Sequence, residues 1–157
     1  MRIGYGYDVH RFEDGGPLVI GGVKIPFGKS LAGHSDADVL LHAITDALLG
    51  ACALGDLGKH FPDTSSKFED INSRILLRDA LTMVREKGYL VNNVDATIVT
   101  ERPQMAPHIN EMRQVIADDL KVNIDQVSVK ATTSEGLGFE GNEEGISARA
   151  VILLTER

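Results

Sequence analysis

The chain has 157 residues, enough for one domain that buries about 68–70% of its unfolded surface without disulfide support. Sixteen Lys and Arg against 23 Asp and Glu leave a net charge of −7, which argues against broad binding to a nucleic-acid backbone. The single cysteine, Cys52, excludes an intrachain disulfide and a four-cysteine zinc site, and it fits a reducing cytoplasm.

No charged-then-apolar leader opens the chain, which instead begins with the alternation of a strand. Over residues 2 to 12, Ile3, Tyr5, Tyr7 and Val9 share one parity, and Gly4, Gly6, Asp8 and His10 the other. Asp8 and His10 therefore share a face. Leu18–Ile20 and Val23–Ile25 flank Gly21 and Gly22, a two-residue hairpin signal, because glycine tolerates the positive φ angles of such turns. The clearest helix follows, with Ser35 and Asp38 spaced as a capping box, apolar positions continuing through Leu54, and Gly55 as its stop. Its apolar run, around Ala47 to Leu54, falls far short of the roughly 20 residues of a membrane span. Asp38, His42, Thr45 and Asp46 form a polar stripe along it.

Residues 56 to 70 are a loop by composition, too long for a simple turn. A second helix is predicted from about Asn72 to Lys87, a strand near Val91 to Thr100, and a third helix over Pro107 to Leu120. Val127, Val129 and Ala131 alternate as a strand, and Ile146 to Leu154 form the last one, leaving Thr132 to Gly145 as a Gly-rich connection. This order predicts an α+β fold, a mixed β-sheet with helices packed on one face, in one domain over 1–157.

Asp8 and His10 on one strand face, with His42 from the helix stripe, would supply three ligands and an open fourth position, the pattern of a catalytic zinc site. By residue type alone, a surface Asp–His pair beside a His bonded to Asp38 or Asp46 is the commoner reading of such a pattern. His34 and Ser35, just before the long helix, suit an N-cap or a phosphate contact. In Lys130–Phe139, hydroxyls and glycines could hold phosphate oxygens, and Glu135 a hard cation bridging two phosphates; a plain polar loop is the other reading. No Walker loop or dinucleotide fingerprint is present. Asp56-Leu57-Gly58 and Phe61-Pro62-Asp63 could offer carboxylates to sugar hydroxyls, and Glu101 to Ala106 backbone groups to a flat base; helix stop, surface turn and Pro-punctuated connection remain open for them. Cys52, among Ala51, Ala53 and Leu54, reads as core.

Taken in order, Gly4-Tyr5-Gly6-Tyr7-Asp8-Val9-His10, His34-Ser35-Asp36-Ala37-Asp38, His42, Asp56-Leu57-Gly58, Phe61-Pro62-Asp63 and Lys130-Ala131-Thr132-Thr133 resemble the 2-C-methyl-D-erythritol 2,4-cyclodiphosphate synthase family over nearly the whole chain. The resemblance implies a chorismate-mutase-like or ferredoxin-like layered sandwich, assembled as a homotrimer with active sites between subunits. It implies a phosphorus–oxygen lyase of non-mevalonate isoprenoid synthesis. Such an enzyme closes 4-diphosphocytidyl-2-C-methyl-D-erythritol 2-phosphate into a cyclic diphosphate and releases CMP. Its partners would be this cytidine diphosphate-linked small molecule and copies of itself, not nucleic acid or membrane.

On the same resemblance, Asp8, His10 and His42 would hold Zn2+, and Glu135 would help hold Mg2+ or Mn2+ on the diphosphate. His34 and Thr133 match positions that stabilise the transition state, and Ser35 and Thr132 match phosphate contacts. Asp56 and Gly58 would meet the ribose, with Leu57 between them in the substrate-binding set, and Phe61, Pro62, Asp63, Thr64 and Ser65 the methylerythritol. Thr100, Glu101, Arg102, Pro103, Gln104, Met105 and Ala106 would meet the cytosine, while Val9, Ser134 and Phe139 complete the substrate-binding set. One departure is Asn142, which stands where many family members carry an Arg that helps hold an isoprenoid diphosphate on the trimer axis. A zinc-dependent phosphoesterase and a non-catalytic trimeric metal- or nucleotide-binding module are the other functional readings of these residues.

Overall fold

A computed structural model describes residues 1–157. Strands β1 (Arg2–Asp14), β4 (Lys29–Leu31), β5 (Tyr89–Val99), β6 (Val127–Thr132) and β7 (Gly145–Glu156) form one five-stranded sheet in the order β4-β1-β7-β5-β6. Only β5 and β6 run parallel, joined through helix α4 (Ile109–Leu120); the other pairs are antiparallel, so the sheet is mixed. The separate hairpin of β2 (Leu18–Ile20) and β3 (Val23–Ile25) turns at Gly21 and Gly22, both with positive φ (63° and 73°), as the diglycine predicts. Helices α1 (Val39–Ala51) and α3 (Ser73–Glu86) lie with α4 over one face of the sheet. The short helices α2 (Leu57–His60) and α5 (Gly138–Gly141) break up segments expected to be loops. None of the helices is long and apolar enough to cross a membrane.

The covered face is built on small residues. Register pairs Gly4 with Ile152, Gly6 with Ala150 and Asp8 with Ala148. Helix α1 lies so close above them that a Cβ at Gly6 would stand 1.8 Å from the carbonyl oxygen of Ala43, and one at Gly4 1.9 Å from that of Ala47. Atoms cannot approach so closely, so these glycines set the depth at which α1 seats. Gly6→Ala is expected to destabilise the fold by about 3 kcal/mol, because the obstacle is backbone and not a side chain able to rotate away; urea denaturation midpoints measure this. Around α1 almost everything is buried except Asp46 and Gly50, since the sheet, α3 and the hairpin enclose it. The opposite parity of β1 is bare: Ile3 and Tyr5 are 72% and 60% exposed, and Tyr7, Val9 and Val151 of β7 also face outward. The strand alternation holds, but its glycine parity, not its large apolar parity, meets the core.

Helix α1 starts later and ends earlier than its sequence pattern suggests. Asp38, not Ser35, is its N-cap: Asp38 Oδ1 accepts from the N–H of Leu41. Both Asp38 carboxylate oxygens also accept from the hairpin turn, at 2.9 Å from Gly21 N and 2.7 Å from Gly22 N. Burial pushes the Asp38 carboxyl up to about 6, against the pull of these donors. Ala37, at φ 57°, keeps the preceding residues out of the helix, and Ala53, at φ 55°, breaks it before Leu54. Helix α3 starts at Ser73 behind its Asn72 cap, close to the expected start, whereas Pro107 lies in a 3-10 turn and α4 starts only at Ile109. Buried Asp119 of α4 binds Arg74 of α3 through two hydrogen bonds, of 2.8 and 3.0 Å, locking these helices together.

Candidate active site

Asp8 and His10 point from the glycine face of β1 toward α1, and His42 of α1 projects back to meet them. Asp8 Oδ2 lies 2.8 Å from His10 Nε2 and 3.0 Å from His42 Nδ1, and the two imidazole nitrogens are 3.2 Å apart. A tetrahedral zinc with bonds of about 2.0–2.1 Å holds its ligand atoms about 3.3–3.4 Å apart, so the trio needs to open only slightly to admit one. The far side of each ring is anchored. His10 Nδ1 lies 2.8 Å from the carbonyl oxygen of Ala32, which only accepts; that nitrogen therefore carries a proton, and in the neutral ring Nε2 presents its lone pair to the centre. His42 Nε2 lies 2.8 Å from Ser73 Oγ and 3.1 Å from Ser35 Oγ. Gly33 makes room for His10, since a Cβ there would stand 3.1 Å from the ring. These atoms fit a divalent cation with an open side.

The electrostatics agree. Burial alone would raise the Asp8 pKa, but hydrogen bonds and charge from His10 and His42 outweigh it and bring the carboxyl down to about 2. Burial opposes charging His10, yet the Asp8 carboxylate overcomes this and raises its pKa above the usual value. Asp8 and His10 therefore each favour the other's charged form.

The centre opens into a cavity of about 340 Å³ that also receives His34, Ser35, Leu57, Gly58, Phe61 and Asp63. His34 Nε2 donates to the carbonyl oxygen of Ser65 at 2.9 Å, tying the residues before α1 to the 61–65 segment. Asp46 accepts from Leu57 N at 2.7 Å and so docks α2 on α1, while Asp56 caps α2 through Lys59 N at 3.0 Å. The predicted polar stripe of α1 therefore divides its labour: Asp38 holds the hairpin, His42 the centre and Asp46 the loop, and Thr45 bonds back to Leu41. Pro62, Thr64 and Ser65 belong to the same segment but do not line the cavity.

A second cavity, of about 310 Å³, brings Thr100, Glu101 and Pro103–Ala106 together with Thr132 and Thr133. Here Glu101 Oε1 accepts from the N–H groups of Ser134 and Gly136, at 3.2 and 3.3 Å, and so shapes the turn. Glu135 sits at that turn's tip in the left-handed region, at φ 56°, with its carboxylate exposed. Arg102 leaves the cavity and makes a bidentate pair with Glu143, at 2.7 and 2.8 Å. A third and larger space, of about 700 Å³, takes Val9 and Phe139 beside Arg11, Phe12 and Lys29.

Register places the first two cavities at one end of the sheet. Val9, Ser147, Val99 and Thr132 lie side by side on β1, β7, β5 and β6, and three strand spacings amount to about 14 Å. No residue lines both cavities. Residue patterns alone missed Phe68, Ile71 and Leu76 in the first cavity and Ile109 in the second. They also missed Ser73 behind His42. The apolar four carry only the signal of core positions, and Ser73 only that of a first helical residue.

Comparison with known proteins agrees with this geometry. Residues 1–155 match the model of the YgbB family. The 2-C-methyl-D-erythritol 2,4-cyclodiphosphate synthase of Stutzerimonas stutzeri is 63% identical over 154 residues, covering 98% of each chain. The fold is similar to that of the bifunctional IspDF from Campylobacter jejuni, with a TM-score of 0.96 at 40% identity; it covers 99% of this chain, which spans 42% of that longer one. It is also similar to a CDP-bound 2C-methyl-D-erythritol-2,4-cyclodiphosphate synthase, with a TM-score of 0.91 at 37% identity, covering 98% of this chain and 100% of that one. An Asp–His–His centre at the mouth of a sheet whose strands match these enzymes throughout leaves one assignment: the chain belongs to the 2-C-methyl-D-erythritol 2,4-cyclodiphosphate synthase, or YgbB, family.

Proposed function

We propose that this chain converts 4-diphosphocytidyl-2-C-methyl-D-erythritol 2-phosphate into 2-C-methyl-D-erythritol 2,4-cyclodiphosphate and CMP, a step of non-mevalonate isoprenoid synthesis. The observation that carries the reading is the convergence of Asp8, His10 and His42 on one open-sided centre. An oxygen of the 2-phosphate attacks the β-phosphorus in line; the bond from that phosphorus to the bridging oxygen breaks, and CMP leaves with the electron pair. No protein nucleophile is required, so catalysis resides in positioning and charge.

When bound, Zn2+ at Asp8, His10 and His42 and Mg2+ or Mn2+ near Glu135 supply Lewis-acid charge to the phosphate oxygens. The chain's own residues do the rest. Ser35 and Thr132 offer hydroxyls to phosphate oxygens, and His34 and Thr133 face the charge that grows in the transition state. Leu57 and Gly58, with Asp56, hold the ribose, and residues 61–65 enclose the methylerythritol. Residues 100–106 present backbone groups to the cytosine. Fixing the reacting oxygens in line removes much of the entropic barrier to ring closure.

The assembly is a homotrimer in which one subunit's metal cavity faces the next subunit's nucleotide cavity. Two observations support this: the cavities are separate within one chain, and the bare sheet face exposes Ile3, Tyr5, Tyr7, Val9 and Val151. Residues 1–157 act as one domain of the layered-sandwich type around a single core cluster. The lone Cys52 suits a reducing cytoplasm.

Phosphorus NMR of the product tests the reaction. Ring closure yields two phosphates joined through one oxygen inside the ring, together with CMP. A metal-bound hydroxide would instead give a linear hydrolysis product, and finding only that product would replace cyclisation with phosphoesterase chemistry.

A further inference from the structure

The metal centre has a buried polar support that the reaction scheme does not use. Ser73, the first residue of α3, is fully buried with its Oγ 2.8 Å from His42 Nε2. The same hydroxyl bonds to Asp36 Oδ1, and the Ser73 backbone N–H donates to Asp36 Oδ2 at 3.0 Å. Asp36 precedes α1, and its own N–H donates to the carbonyl oxygen of Ile71 at 3.1 Å. Three segments therefore meet behind His42: the stretch before α1, the end of the long loop, and the start of α3.

The donors and acceptors can be ordered. An ionised carboxylate only accepts, so the Ser73 hydroxyl proton points to Asp36. The oxygen lone pairs of Ser73 then face His42, and Nε2 must be the protonated nitrogen of the neutral ring. Nδ1, 3.0 Å from Asp8 Oδ2, is then the nitrogen whose lone pair a cation in the centre would take. Ser35 Oγ, at the longer distance of 3.1 Å from Nε2, already accepts from Ala37 N and remains free to turn its proton to a phosphate.

We propose that Asp36 and Ser73 are positioning residues that act through His42, holding its imidazole in the Nε2–H tautomer and raising its strength as a metal ligand. This rests on the Asp8–His10–His42 metal reading. Neither residue lines the metal cavity. The negative end of the relay at Asp36 favours the partial positive charge that His42 acquires on binding a cation, as carboxylates behind ligating histidines do.

Zinc titration against a competing chelator tests the relay on the full-length protein. Ser73→Ala is expected to weaken zinc binding by about 10–100-fold, and Asp36→Asn, which keeps an acceptor for Ser73 but removes the charge, by about 10-fold. Nitrogen NMR of the zinc-loaded protein should show a His42 Nε2–H signal protected from exchange in wild type and a rapidly exchanging one in Ser73→Ala. Ser73→Thr, which restores the hydroxyl, should recover the affinity. A purely structural role predicts lower melting temperatures with unchanged zinc affinity; that result in both Ser73→Ala and Asp36→Asn would overturn the relay while leaving the metal centre standing. A wild-type protein that binds no zinc would overturn the centre itself and the relay with it.

Discussion

Replacing His42 with alanine is expected to lower turnover by about 1,000-fold or more while the fold survives, because two remaining ligands hold a divalent cation poorly and the phosphate oxygens lose most of their charge compensation. Asp8→Ala should act as strongly, since Asp8 supplies the only negative charge of the trio. Glu135→Ala should also cost orders of magnitude without affecting stability, as its side chain is exposed on a turn shaped by Glu101. Removing metal with a chelator should abolish turnover and leave the secondary structure intact by circular dichroism, because the metal-free trio is already held together by an Asp8–His10 ion pair 2.8 Å long. Unfolding on chelation would instead point to a structural metal. Near-normal turnover of His42→Ala at limiting zinc would remove the metal assignment.

The same ion pair sets a pH dependence. The raised pKa of His10 means that its proton competes with the cation, so metal affinity should fall as pH drops through that raised value. In the metal-free protein the stabilising contribution has two limits. The Asp8 part is present above the ordinary carboxyl range and disappears as pH falls toward about 2. The His10 part is present at and below the ordinary imidazole pKa and disappears as pH rises through the raised one. Metal-free melting temperatures across this range measure both.

Placing a charge on the bare sheet face is expected to abolish both assembly and turnover. Tyr5 and Val151 are register partners at the middle of that face, and both side chains are exposed. Tyr5→Asp or Val151→Lys should leave the subunit folded, since neither touches the core, but would bury an unpaired charge at each copy's interface. Sedimentation should then report a monomer, and activity should fall below detection although both cavities are intact. Subunit mixing gives a sharper test. His42→Ala damages the metal cavity and Glu135→Ala the nucleotide side; if a site combines the two from neighbouring subunits, random exchange regenerates about one intact site in four. A site contained within one chain would regenerate none, and inactive mixtures despite proven exchange would sink the shared-site arrangement.

Much of the architecture was legible because it depends on local periodicity. The diglycine hairpin, the start of α3 next to Asn72 and the last strand around Ile146 to Leu154 appear where residue patterns place them, while α4 starts at Ile109, just after the Pro107 turn. The boundary of α1 was not legible. Ser35 and Asp38 are both good caps, and the choice fell to Asp38 because its carboxylate also satisfies the N–H groups of Gly21 and Gly22, from a hairpin far back in the chain. Nor does alternation in β1 say which parity is buried. The approach of the α1 backbone selects Gly4 and Gly6, and turns Ile3 and Tyr5 outward.

For the site, the residues by themselves offered Asp8, His10 and His42 as a possible ligand set beside a plain surface pair, and the resemblance of their surrounding motifs pointed to the metal reading and its chemistry. Side-chain type and strand parity settle that much, because they depend only on neighbours in sequence. Tertiary structure decided the rest: that His42 reaches the strand pair within hydrogen-bond distance, that Ser73 and Asp36 stand behind it, and that the nucleotide cavity lies apart from the metal cavity on the same chain. Those facts depend on how deeply a helix seats on a sheet and which strands lie side by side, and both are set by packing between residues distant in sequence.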